Sequence, residues 1–432
     1  MADHSPPPLT EGEFCHRLAR KLFPICRSIT GAGIRGTLDI LGEHLPGLTR
    51  HSVPTGYQAF DWVVPEEWAI REAYIENEQG ERIVDFARNN LHVVGYSTPV
   101  DAWMTFEELV PHLYSLPEQP DAIPYITSYY APRWGFCLTH TQRLRMEKGN
   151  YRVVIDSSLQ PGFLDYAELL IPGDSSEEVF LSTYVCHPSM ANNELSGPVI
   201  ATALARWLMS LPRRRLSYRI VFIPETIGSL VYLSKNLPVL KDTMIAGFNL
   251  TCVGDDRGYS YLPSRAGDTL ADEVALHVFK HRHPDFIRYS WLDRGSDERQ
   301  YCAPGIDLPV ASMMRSKYGT YPEYHTSLDN WDLVTPAGLQ GSFDMLQEAL
   351  RVLENNISPR VTTLGEPQLG KRDLYPTLST KRPAEATATM MNFLTYCDGD
   401  SSLLAIAELI GTPATSLIEI SEKLRNAGVI EW

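Results

Sequence analysis

Thr183-Tyr-Val-Cys-His187-Pro-Ser-Met-Ala-Asn192-Asn193-Glu194-Leu-Ser196-Gly197 is the stretch that decides the fold. It leads out of an apolar run, Val179-Phe-Leu-Ser-Thr-Tyr-Val185, whose short length and β-branched and aromatic residues predict a buried parallel strand. His187 then falls just past the carboxyl end of that strand, where open α/β sheets place their ligands. Gly197-Pro-Val-Ile-Ala-Thr-Ala-Leu-Ala-Arg-Trp-Leu208 follows with the spacing of a helix packed on a sheet. An imidazole, an amide and a carboxylate wedged between strand and helix have the make-up of a metal site.

Outward from this stretch the chain alternates strand and helix. Strands are expected over 165–171, 178–185, 216–223, 245–253 and 308–314, and helices near 197–210, 228–236, 268–281 and 336–353. Such alternation predicts a three-layer α/β sandwich. Amphipathic segments 11–28 and 37–45 add two opening helices. Between 53 and 150 short strands and turns replace this pattern, with a Pro-rich turn at 116–124. That block reads as a small β-rich domain inserted into a discontinuous α/β domain made of 1–52 and 151–357. A Pro- and Gly-rich linker is expected at 358–380. Three short helices between 384 and 427 and a possible tail strand at 428–432 predict a winged helix-turn-helix module over 381–432.

The net charge of −15 argues against non-specific nucleic-acid binding and against an anionic membrane surface. The expected recognition helix, 415–427, carries one Lys and one Arg against two Glu, too little charge to neutralise phosphates. The module therefore reads as a packing or dimerisation element, and a homodimer is one expectation. No run of about 20 apolar residues is present, and the first residues lack a secretory pattern, so no membrane partner is expected. The seven cysteines are scattered without a C-x-x-C pair, as reduced thiols in a cytoplasm would be. Cys186 reads as a packed core thiol.

Four segments should meet at the carboxyl edge of the sheet: His187 with Asn193 and Glu194; Pro224-Glu225-Thr226; Asn249 to Asp256; and Glu323-Tyr324-His325 to Asp329. Catalytic zinc usually takes three protein ligands from His and carboxylate and leaves a position for water. His187, a nearby carboxylate and His325 meet that need, with Glu225 as the base that takes the proton. Tyr324 is placed to donate to a developing oxyanion. Asp255, Asp297 or Glu298 would suit a substrate amine, and Arg315 a substrate carboxylate. Each of these also reads as an ordinary strand-end charge.

The order His187, Ala191-Asn-Asn-Glu-Leu-Ser-Gly197, Pro224-Glu-Thr-Ile-Gly-Ser229, Asn249-Leu-Thr-Cys-Val-Gly254, Gly295-Ser-Asp297, Tyr324-His-Thr-Ser-Leu-Asp329 resembles the zinc aminopeptidase superfamily with co-catalytic zincs. More closely, residues 10–430 are similar to a bacterial aminopeptidase-like family with an inserted domain, a C-terminal winged-helix module and frequent association with polysaccharide-biosynthesis loci. The resemblance implies a sandwich of zinc-aminopeptidase type. It also implies that His187, Glu225 and His325 match the first histidine, the base and the last histidine. Ser189 stands where the family has an Asp orienting that first histidine. Asn193, Thr226 and Thr251 stand where it has metal-binding carboxylates. The remaining groups support one zinc held by His187, Glu194 and His325, with Asn193 as a weak ligand or a substrate contact. The expected function is a hydrolase that cleaves the amide of a small peptide or aminoacyl conjugate. The rival expectation is a non-catalytic binding or scaffold protein of the same fold, linked to polysaccharide biosynthesis.

Overall fold

The computed structural model describes residues 9–372, 374 and 381–432, with the side chains of 381–386 excepted. Two compact units emerge: residues through Ala271 with Ile287–Phe343, and Asp272–Phe286 with Asp344–Trp432. An eight-stranded mixed sheet runs through the first. Its order is Thr49–Pro54, Phe163–Ile171, Ser217–Ile223, Glu178–Tyr184, Met244–Asn249, Val310–Met314, Ser260–Leu262, Ile287–Arg288. Ser217–Ile223, Glu178–Tyr184, Met244–Asn249 and Val310–Met314 are mutually parallel, so their carboxyl ends share one edge. Glu178–Tyr184 is buried along nearly its whole length, as a central parallel strand must be. The expected strand 245–253 ends at Asn249, because Leu250 to Asp255 leave the sheet to line its edge. The helix expected near 228–236 runs on to Thr243, with Pro238 inside it.

Helix Ser196–Ser210 lies close against the sheet. A Cβ on Gly197 would fall 2.3 Å from both the Leu250 carbonyl oxygen and Thr183 Oγ1, so only glycine permits this approach. Helix Glu11–Leu22 packs on Ser196–Ser210. It is set by a Thr10/Glu13 capping box, acids in its first turn and bases in its last. The block expected at 53–150 does form a separate four-stranded antiparallel sheet, ordered Arg82–Asp85, Glu67–Asn77, Asn150–Gln160, Val100–Thr105. Its strand Asn150–Gln160 reaches past the expected boundary, and the block belongs to the first compact unit.

In the second unit, helices Lys381–Thr395, Leu403–Ile410 and Ala414–Asn426 accompany a two-stranded sheet of Arg360–Val361 and Ile430–Glu431. Arg360–Val361 lies inside the stretch expected as linker, whose residues 373 and 375–380 lie outside the described residues. Leu403–Ile410 ends on Gly411 in the left-handed region (φ 67°), and the next helix leaves at 118°, the bend of a helix-turn-helix. His277 Nε2 accepts the Ala414 N–H at 2.8 Å and its Nδ1 lies 2.5 Å from Glu408. Nε2 thereby holds the start of that helix and Nδ1 the helix before it, so both ring nitrogens are used, although His277, His281 and Glu408 lie close enough together to suggest an ion site. Among the described residues, no single helix is long and apolar enough to cross a membrane.

Candidate metal centre

Parallel pairing puts Tyr184 level with Ile223, so His187 and Glu225 leave the sheet side by side. His187 Nε2 lies 3.5 Å from Glu225 Oε2. His325 arrives from the turn after the last parallel strand, its ring centroid 5.5 Å from that of His187. Tyr324 stacks on His325 at 3.9 Å, Tyr125 meets it edge-on, and the Tyr125 N–H donates to the His325 carbonyl at 2.8 Å. Burial pushes both imidazoles down to about 3, helped at His187 by the Arg27 charge and at His325 by His187 itself. Both rings are therefore neutral near pH 7, the form that binds metal.

Glu194 sits on the other side of His187. It is carried by the π-helical turn Ala191–Leu195, and its Oε2 lies 2.8 Å from Nδ1. With the proton on Nδ1, this contact aims the Nε2 lone pair at the cavity. Arg27 Nε lies 3.7 Å from Glu194 Oε1, with both side chains wholly buried, and donates to the His187 carbonyl at 2.9 Å. Burial raises Glu194 to about 8 against the opposing Arg27 charge. Cys186, His187 and Glu194 also offer three atoms within 4.8 Å of one another. That side already holds a guanidinium, however, and burial keeps the Cys186 thiol protonated. On the Nε2 side two neutral imidazoles and Glu225 line one cavity, and no ring nitrogen of His325 has a hydrogen bond among the described residues, so these are the groups left there to hold an ion. Glu194, expected as a ligand, stands behind His187 as its hydrogen-bond partner.

Asn193, Thr226 and Thr251, expected to stand at metal-binding positions, are tied to protein groups. Tyr184 Oη lies 2.5 Å from both Asn193 Nδ2 and Thr251 Oγ1. Thr226 Oγ1 accepts from Arg299 at 2.8 Å. Strain gathers here: Ser189, Thr226, Cys252 and His325 all have positive φ without being glycine.

Most of the expected substrate contacts do not face the cavity. Asp255 accepts from Asn192 Nδ2, Ser316 N and Oγ, and Arg257 N. Glu298 accepts from Gly295 N, Ser296 N, Asn249 Nδ2 and Tyr318 Oη. Arg315 Nε donates to the Asp255 carbonyl, and its guanidinium lies 3.9 Å over Tyr259. Asp297 Oδ1 accepts the Thr226 N–H at 2.7 Å and the Ser229 hydroxyl at 2.9 Å, which fixes the backbone behind Glu225. Asn193 is held by Tyr184, and Tyr324 supports the back of His325. Asp255, Asp297 and Glu298 thus stabilise loop N–H groups that a sheet edge leaves unpaired. Burial, with neighbouring like charge added, raises Asp297 to about 7 and holds Glu225 well above its ordinary range.

The cavity measures about 360 Å³ and includes residues that the sequence reading did not single out: Trp62, Tyr125, Tyr129, Tyr130 and Arg299. Arg27 was missed as well. The aromatic spacing of Tyr125-Ile-Thr-Ser-Tyr-Tyr130 after the Pro-rich turn was the available signal.

This fold defines the chain as one of zinc-aminopeptidase architecture joined to a winged helix-turn-helix. The zinc aminopeptidase of Bacillus subtilis superposes with a TM-score of 0.55 at 13% identity, covering 79% of this chain and 93% of that one. A peptidase M28 precursor from Shewanella amazonensis gives 0.52 at 12%, covering 78% and 96%. The chain belongs to the family described as a domain of unknown function, DUF4910, whose model matches residues 16–356; a winged helix-turn-helix model matches 357–432. A Clostridium acetobutylicum protein is 44% identical over 405 residues, covering 92% of this chain and 91% of its own length. Its name couples polysaccharide biosynthesis to an aminopeptidase-like domain. A crystal structure from the same organism, bearing the name of a peptidase, gives a TM-score of 0.91 at 41% identity over 97% and 96% of the two chains.

Proposed function

We propose that this protein is a metal-dependent hydrolase of an amide bond, with one zinc ion held by His187 Nε2 and His325 beside Glu225. The observation that carries the reading is the meeting of two neutral imidazoles and one carboxylate at a single sheet edge. Zinc bound there would polarise a substrate carbonyl and acidify a water. Glu225, 21% exposed and held above its ordinary pKa, takes that proton and returns it to the leaving nitrogen. Glu194 orients His187, and Asp297 fixes the strained turn that carries Glu225. A role in polysaccharide assembly is supported by the name of the Clostridium relative. Seven unpaired cysteines support a reducing, cytoplasmic setting.

Glu225→Gln should lower turnover about 10²- to 10⁴-fold while zinc content per chain stays unchanged. His187→Ala and His325→Ala should each lose the ion, as read by elemental analysis. Full turnover in Glu225→Gln would refute the base assignment. A second reading, a binding protein without catalysis, is favoured by the Asn193–Tyr184–Thr251 hydrogen bonds that occupy the place of metal-binding carboxylates. Protein purified without chelator and carrying no zinc would support that reading instead. The acidic C-terminal module is proposed as a packing or dimerisation element.

A further inference from the structure

We propose that the cavity takes an N-acylated substrate that carries a carboxylate, with Arg299 as its anchor, and not a peptide with a free amino terminus. The inference rests on the amide-hydrolase reading of the same site and adds the chemical class of the substrate.

Among the described residues, Glu225 is the only carboxylate lining the cavity and Arg299 the only permanent cation. A substrate ammonium would find no counter-charge other than the carboxylate needed for proton transfer. Asp255, Asp297 and Glu298 are fully buried and already accept backbone and side-chain donors. Arg299 is exposed and makes no ion pair among the described residues. Its Nη2 donates to Thr226 Oγ1 at 2.8 Å, and the Thr226 N–H is anchored on Asp297. The guanidinium is thus aimed by a rigid turn, with its other donors left for a ligand, the arrangement that suits a carboxylate.

The wall opposite in chemistry is aromatic. Trp62 and Tyr130 are 38% and 53% exposed, with ring centroids 5.5 Å apart at 73°. Two large aromatics standing this open at a cavity mouth offer a face for a flat ring or sugar face on the acyl group. Tyr125 and Tyr129, bonded through their hydroxyls at 2.9 Å, line the same cavity.

Calorimetric titration of the full chain with three ligands tests this: N-benzoylglycine, its uncharged amide N-benzoylglycinamide, and glycine benzylamide, which carries a free amine. N-benzoylglycine should bind about tenfold or more tighter than the other two. Arg299→Gln should erase that preference, and Trp62→Ala should weaken both N-benzoyl ligands while keeping their ratio. Glycine benzylamide binding as well as or better than N-benzoylglycine would overturn the proposal. So would an Arg299→Gln variant with unchanged N-benzoylglycine affinity, or binding of none of the three. Binding is read without turnover, so a catalytically silent protein with the expected preference sinks the hydrolase reading alone.

Discussion

Replacing Arg27 by methionine should expose how the centre is held together. The guanidinium is fully buried and donates to the carbonyls of Leu22 at 2.7 Å and His187 at 2.9 Å, beside the equally buried Glu194. Methionine fills much of the volume but leaves the His187 carbonyl without its donor and Glu194 without a counter-charge, while the Leu22 carbonyl keeps the Ile25 N–H and Glu194 keeps its contact with His187 Nδ1. Breaking a buried pair from one side costs about 3–5 kcal/mol, a large part of a typical stability of about 5–15 kcal/mol. The loss should depend on pH in a defined direction. Burial raises Glu194 to about 8, so its contribution is full below the unfolded carboxyl pKa and is lost as pH rises towards 8. In the wild type this decline levels off near pH 8. Without Arg27, which lowers the Glu194 pKa, the decline should continue above pH 8. Urea unfolding of metal-free protein at pH 5, 7 and 9 reads this through tryptophan fluorescence, since every tryptophan except Trp432 lies in the first unit. Adding Glu194→Gln to Arg27→Met should recover part of the loss, because an amide needs no counter-charge. An Arg27→Met protein as stable as the wild type at pH 9 would refute the reasoning.

Other expectations concern the same edge of the sheet. Glu194→Gln should weaken zinc binding about 10- to 100-fold in a competition assay with a chromogenic chelator, as loss of an outer partner of a ligand histidine does. Gly197→Ala would force Cβ into Leu250 and Thr183, and should cost about 1–3 kcal/mol or more in urea unfolding. Tyr184→Phe leaves the Asn193 amide and Thr251 hydroxyl without their shared partner, for about 1–3 kcal/mol. Adding Thr251→Val should then cost little more.

The positions of His187, Glu225 and His325 were legible because strand ends and the turns after them can be read from local pattern. The strand-to-helix alternation gave the sheet and its edge by the same route. Which nitrogen of His187 faces Glu194 was not legible, since that depends on a π-helical turn that places Ala191–Leu195 behind the ring. Arg27 was hidden for another reason: it reaches His187 across 160 residues, and nothing in its neighbours marks it as buried. Asp255, Glu298 and Arg315 look like ligand groups in the sequence, yet they serve loop backbone and one another. Charge at a strand end states that a partner is needed without stating which. The aromatic wall came from a block whose sequence announced strands and turns only.

The hydroxyl of Tyr184, shared by Asn193 and Thr251, has a consequence for redesign. An acid placed at position 193 alone would set a buried charge against two hydroxyls committed to each other, with no cation among its hydrogen-bond partners. A change at any one of these three positions has to be accompanied by changes at the other two.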